Sequence, residues 1–233
     1  MGKTRFVQTV YEIILGMPVS KKFLAYFEER SIYHIYAKSV GNNLLFYDDA
    51  DKFQYLKKYF IFLGKFVDTY AYNLLDNHVH FITKIKEKQI IIDYLKTLPE
   101  ISLTDTQFRF LEGKCSINTL IKQQFQRLSV SHTIYINSTY NRKGNLFCRP
   151  FKRRLITGED YLLRAFVYVH ANQIHHKLSN TFQDCKWSSY NEILSTHPTD
   201  LARDEVIMLF GGKEKYISVH DELALKYLGY DFD

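Results

Sequence analysis

His78 and His80 stand on alternate positions of an apolar run, NLLDNHVHFITK, at residues 73–84. On an extended strand, residues two apart project to the same face, so both imidazoles would point into one small volume. Such a pair can share a metal ion or a phosphate, but two imidazoles do not complete a ligand shell. The third donor, a carboxylate or an amide, has to come from another element. One candidate lies in FVYVHANQIHH, residues 166–176. There Tyr168 and Asn172 are four apart, so a helix would put them on one face, a turn from each other.

Phenol, amide and paired imidazoles make a chemically sensible set. A tyrosine that attacks phosphorus in a phosphodiester forms a covalent phosphotyrosine and divides one difficult step into two. A phenol titrates near 10, so it needs help at neutral pH. A divalent cation that polarises the scissile phosphate supplies part of that help. No general base is evident. Taken singly, each pattern is commonplace: most strand histidines and most helix tyrosines are packing residues.

Charge ties the two patterns together. The chain carries a formal charge of +6 and a sequence pI of about 9.0, a balance that suits an anionic partner. Between Glu112 and Glu159 there is no acidic residue, while Lys114, Lys122, Arg127, Arg142, Lys143, Arg149, Lys152, Arg153 and Arg154 all fall there. Arg142, Lys143, Arg149, Lys152, Arg153 and Arg154 surround an Asn-Arg-Lys-Gly turn and the strand after it; they are the candidate phosphate contacts. Tyr135, Tyr140, Phe147 and Phe151 interleave with them and would either stack on unpaired bases or face the core. Core is the expectation for the two phenylalanines, and Trp187 is expected to pack the tail onto the domain.

The elements that must position these groups follow from periodicity. Residues 1–30 read as a helical appendage, with Phe6, Val7, Val10, Tyr11, Ile14 and Leu15 at helical spacing. SIYHIYAKSV (31–40) is β-branched and aromatic, a strand. From Asp49 to about Lys65 apolar residues recur at steps of three and four, an amphipathic helix capped by Asp48 or Asp49. Residues 66–85 are extended, one long strand or a bent pair, and 86–130 hold two weaker helices around the loop LPEISLTDT. Residues 146–157 are strand-like. Thr157 and Asp160, in capping-box spacing, open a helix, and short helices and loops follow Leu178. This order predicts an α+β fold of ferredoxin-like type, an antiparallel sheet with helices on one face.

At 233 residues the chain is long enough for one good-sized domain with appendages. Three widely spaced cysteines, Cys115, Cys148 and Cys185, form neither a metal pair nor a disulfide framework. No apolar run approaches the roughly 20 residues of a membrane span. The N-terminal patch contains Glu12 and is not read as a signal peptide. A cytoplasmic, nucleoid-associated protein with no membrane partner is the expectation.

Several of these stretches, in order, resemble one family. NLLDNHVHFITKI is similar to the histidine–hydrophobic–histidine strand of the HUH superfamily of single-strand DNA nucleases, and in particular of the REP-associated tyrosine transposases. SIYHIYAKSVGNNLLFYDDADKFQYL resembles that family's first strand, glycine-asparagine loop and first helix; YINSTYNRKGNLFCRPFKRRLI its basic turn and strand; EDYLLRAFVYVHANQIHHKL its nucleophile helix; and CKWSSYNEIL a Trp-Ser-Ser-Tyr segment. The resemblance covers roughly residues 31–195. It implies a catalytic domain there, between the N-terminal extension (1–30) and a C-terminal helical tail (196–233).

By this resemblance Tyr168 is the nucleophile, His78, His80 and Asn172 hold Mg²⁺ or Mn²⁺, and His170 is an orienting or structural residue. The implied reaction is transposase-like cleavage of single-stranded DNA beside a hairpin, which leaves a 5′-phosphotyrosine and a free 3′-hydroxyl. Leu75 and Asp76 stand where the family usually has methionine and proline, and Gln173 replaces a proline after Asn172. Asp76 shares parity with the histidines on a continuous strand and would be either an extra ligand or an exposed loop residue. A homodimer is kept open beside a monomer, since some relatives exchange active sites between chains. Two rival readings remain: a hairpin DNA- or RNA-binding protein of the same fold that does not cut, and a metal phosphodiesterase that uses water, with Tyr168 a bystander.

Overall fold

The computed structural model describes residues 24–148 and 150–227; residues 1–23 of the extension expected over 1–30, Arg149, and residues 228–233 of the expected tail lie outside the described residues. The alternation in SIYHIYAK forms β1 (Ile32–Lys38), with Tyr33, Ile35 and Ala37 buried. Asp48 caps α1 (Asp49–Leu63), its carboxylate accepting the Asp51 backbone N–H at 2.9 Å. The extended stretch that follows is a bent pair, β2 (Val67–Leu74) and β3 (His78–Ile85). A turn at 75–77 joins them, closed by the Leu75 N–H on the His78 carbonyl at 2.9 Å.

Where two helices were expected over 86–130, three are found: α2 (Lys88–Lys96), α3 (Asp105–Leu111) and α4 (Ile117–Thr139). The physical reason lies in the starts. Thr104 forms a capping box with Gln107 inside the stretch read as loop, and the Ser116 hydroxyl caps α4. The fourth strand, β4 (Lys152–Ile156), is shorter than the 146–157 expected. Tyr36 pairs with Lys152 and Ser39 with Phe147, so three steps along β1 face five on its partner. The surplus bulges out around Pro150, which has no N–H for a ladder.

The helix expected to open near Thr157 is α5 (Glu159–His175). It is not capped by Thr157, as the spacing suggested. Gly158 occupies the cap at φ 84°, a conformation glycine takes without steric cost, and no side chain bonds there. α6 (Tyr190–Leu194), α7 (Arg203–Phe210) and α8 (Lys213–Tyr227) complete the chain.

The sheet runs β2-β3-β1-β4 with every neighbour antiparallel. This is the βαββαβ order of a ferredoxin-like fold, as the sequence predicted, but helices cover both faces of the sheet and not one, because the helix that follows β4 packs on the far side. One face meets α1 and α4: Tyr59 stacks on Phe81 at 4.1 Å, and Phe27 bridges Tyr33 to Phe125. The opposite face carries α5, where Phe166 stacks on Tyr70. Among the described residues no helix is long and apolar enough to cross a membrane.

Two buried histidines tie outer helices to this frame. His132 on α4 donates to the Leu45 carbonyl at 2.8 Å, and His220 on α8 bonds His170 on α5 at 2.8 Å. Burial pushes each imidazole down to about 4. Unfolded, both would take up protons near pH 6.5. Stability is therefore level above about pH 6.5 and declines below it, each site subtracting on the order of 1.4 kcal/mol per pH unit until about pH 4. Denaturant midpoints measured from pH 8 to 5 should be constant at first and then fall; a midpoint flat to pH 5 would contradict the burial of these rings as neutral species.

Candidate functional site

Because β3 begins at His78, strand alternation sends His78 and His80 to the α5 face and Val79 and Phe81 to the core. Both histidines are buried, at 3% and 2% exposed, with ring centroids 5.1 Å apart and planes at 89°. His78 Nδ1 lies 2.7 Å from Asn77 Oδ1. Its Nε2 lies 3.0 Å from Asn172 Oδ1, and since amide oxygens only accept, the one proton of the neutral ring can serve one of these two contacts and not both.

Asn172 and Tyr168 come from α5, one turn apart, Asn172 buried and Tyr168 half-buried. The Tyr168 ring stands edge-on to His80, with centroids 5.7 Å apart. It stands equally close, at 5.7 Å, to His34. His34, on β1, was not singled out by the sequence. Its Nε2 is 2.9 Å from His80 Nδ1. The other nitrogen of His80, Nε2, is buried and has no hydrogen-bond partner. Tyr36 stacks on both His34 and His80.

Burial pushes His34 down to about 3, aided by the cation of Arg154 across the strand pair. Burial and the neighbouring His34, His78 and His176 rings hold His80 well below the usual histidine range. Neutral imidazole is the form in which a histidine can ligate a metal.

A buried polar scaffold fixes α5 over the sheet. The Asn73 amide, from β2, donates to the Val169 and His170 carbonyls at 2.8 and 3.2 Å, and its oxygen accepts from Gln173 at 2.9 Å. Gln173 thus anchors the helix to the sheet. His170 faces away from the site; it bonds Ser189 Oγ and His220, both at 2.8 Å, and Ser189 accepts the Tyr72 backbone N–H at 2.9 Å. Asp76 belongs to the β2–β3 turn, where it pairs with Lys52 at 2.7 Å and its carbonyl accepts from Leu45 and Phe46. It does not share the strand parity that would have made it a ligand.

The basic residues divide by strand face. Lys152 and Arg154 pair with Tyr36 and His34 and so flank the histidines, Lys152 lying over the Tyr36 ring at 4.9 Å. Arg153 points the other way. It is 6% exposed, stacked on Phe27 and Phe151, and donates to the carbonyls of Ala25 and Leu24. Its charge is committed inside the fold, which removes it from the expected phosphate contacts. Arg142 and exposed Lys143 sit on the turn after α4, beside Leu146, whose carbonyl bonds Val40 at the end of β1. Phe147 is buried and half-buried Phe151 stacks within the core. Tyr140 bonds Asp51, Lys58 lies over the Tyr135 ring, and the Trp187 indole donates to Asp49.

Among the described residues no group of three or more His, Cys, Asp or Glu side chains is disposed to hold a metal ion. Around His78 lie the His80 and His176 rings, with centroids 5.1 and 5.0 Å away, and the Asn172 amide.

No protein-family model matches the chain, and no curated protein matches it. Among solved structures, one described as the REP-associated tyrosine transposase bound to a REP hairpin aligns with 76% of this chain and 88% of its own, at a TM-score of 0.45 and 14% identity.

Proposed function

We propose that this chain is a single-stranded DNA endonuclease and strand transferase that cuts beside DNA hairpins through a covalent 5′-phosphotyrosine at Tyr168. The observation that carries the reading is the convergence of Tyr168, His78, His80 and Asn172, drawn from two elements far apart in sequence, over one patch of sheet.

His78, His80 and Asn172 fit a divalent ion. His80 Nε2 is a buried nitrogen with no hydrogen-bond partner, and His78 Nε2 and Asn172 Oδ1 lie 3.0 Å apart, so these three side chains would hold the ion. When bound, Mg²⁺ or Mn²⁺ would neutralise charge on the scissile phosphate. Tyr168 Oη forms a bond to phosphorus, the P–O3′ bond breaks, the phenolic proton passes to solvent, and the departing oxygen takes up a proton as the 3′-hydroxyl. One phosphodiester becomes another, so the link can be reversed by a new 3′-hydroxyl, which is strand transfer.

Lys152 and Arg154 beside the histidines, with Arg142 and Lys143 on the turn, would carry the phosphate backbone. Lys152→Ala with Arg154→Ala should weaken hairpin binding and make log K less steep against log salt by about 1–2, at little cost in stability. Arg153→Ala should do the reverse: it orphans two buried carbonyls and costs roughly 2–4 kcal/mol, with the salt slope unchanged. Salt titrations of binding and denaturant melts separate the two.

The test of the reaction is a hairpin with single-stranded flanks, incubated with Mn²⁺ and run on a denaturing gel. A 3′-labelled strand should move to a protein-linked band. A 5′-labelled strand should yield a free fragment that a polymerase can extend. Retarded but uncut DNA would favour the hairpin-binding alternative.

A further inference from the structure

We propose that His34 is the positioning residue of this site: its Nε2 accepts the Nδ1–H of His80 and so fixes His80 as the tautomer that presents an Nε2 lone pair to the ion. The inference rests on the metal-ligating reading above and adds a residue to it.

The two rings lie side by side at 17°, centroids 5.2 Å apart, with His34 Nε2 and His80 Nδ1 at 2.9 Å. Only two neutral arrangements satisfy that contact. In one, His80 donates from Nδ1, and its Nε2 is a buried acceptor open to a ligand bond. In the other, His34 donates, and His80 carries its proton on Nε2, a buried donor with no acceptor. The second arrangement leaves a buried N–H unmade and blocks coordination. The first gives His80 an acceptor on Nδ1 and frees its Nε2, an outer partner orienting a ligand.

The fold holds His34 in this role. Register places it on β1 beside β3, with Arg154 across the other strand pair. Tyr36 stacks on both rings and fixes their planes.

The experiment measures Mn²⁺ affinity by titration calorimetry and electron paramagnetic resonance on the full chain without DNA. The variants are His34→Leu, His34→Gln and, as a marker of the ligand itself, His80→Ala. His34→Leu should bind Mn²⁺ about 10–100-fold more weakly than wild type. His34→Gln, whose amide oxygen reaches the position of Nε2, should stay within about threefold. Equal affinity of wild type and His34→Leu, with loss in His80→Ala, would overturn the role of His34 and leave the metal site standing. A wild type that binds no Mn²⁺ would overturn both. Nitrogen-15 NMR of the metal-free wild type reads the tautomer without any substitution: the proton of His80 should be on Nδ1, and finding it on Nε2 would overturn the proposal even if His34→Leu failed to fold.

Discussion

Tyr168→Phe is expected to remove the protein-linked DNA species and to lower strand cleavage by at least about a thousandfold, while hairpin affinity stays within about twofold of wild type. The substitution deletes one oxygen. The ring keeps its edge-on packing against His34 and His80, so the fold has little reason to respond. What disappears is the only atom in the proposal that forms the new bond to phosphorus. Gel quantification of cut and protein-linked DNA, beside a binding isotherm, checks the split. Cleavage that survives in Tyr168→Phe would mean that water attacks and that the phenol is a bystander.

The second large effect belongs to the proposed ligand set. His78→Ala and Asn172→Ala should each reduce cleavage by about 10²–10³-fold and leave metal-free hairpin binding within a few-fold. The magnitude follows from the ion's contribution: several kcal/mol of charge stabilisation at about 1.4 kcal/mol per tenfold. Both residues are buried and bond each other, so a melt must accompany the rates. The discriminating pattern is a loss of cleavage that far exceeds the loss of binding. Equal loss of both would indicate that the pair supports the DNA-binding surface and not the chemistry.

Periodicity made much of this architecture legible. The helix after Asp48, the apolar strands and the spacing of Tyr168 and Asn172 are local patterns, and local patterns survive in a sequence. The same alternation that paired His78 with His80 also separates Arg153 from Lys152 and Arg154, and a strict strand reading of KRRLI would have sent Arg153 inward. Its neighbours' charges made the run look uniform. Asp76 was assigned strand parity because nothing in LLDNH marks the turn; the turn is fixed by bonds from Leu45 and Phe46, some thirty residues away. Likewise Thr157 has the spacing of a cap, but Gly158 takes the cap geometry that only backbone conformation can reveal.

His34 was the least visible of the site's residues. In SIYHIYAK it is one polar side chain among aromatics, with no partner at helical or strand spacing. Its significance comes from the register of β1 on β3, which sets His34 against His80 from 46 residues away. Asn73 and Gln173 were hidden for the same reason, since their bond spans two elements. Side chains that hold a catalytic group in place answer to tertiary geometry, and sequence spacing carries little trace of it.

The most direct measurement is mass spectrometry of the chain after it has cut a hairpin substrate, with the attached DNA trimmed by nuclease and the protein digested with trypsin. Cleavage after Arg164 and Lys177 isolates AFVYVHANQIHHK, which contains a single tyrosine. That peptide should carry a nucleotide joined through phosphate, with fragment ions that locate it on Tyr168. DNA cut with this peptide unmodified, or an adduct on any other residue, would contradict it.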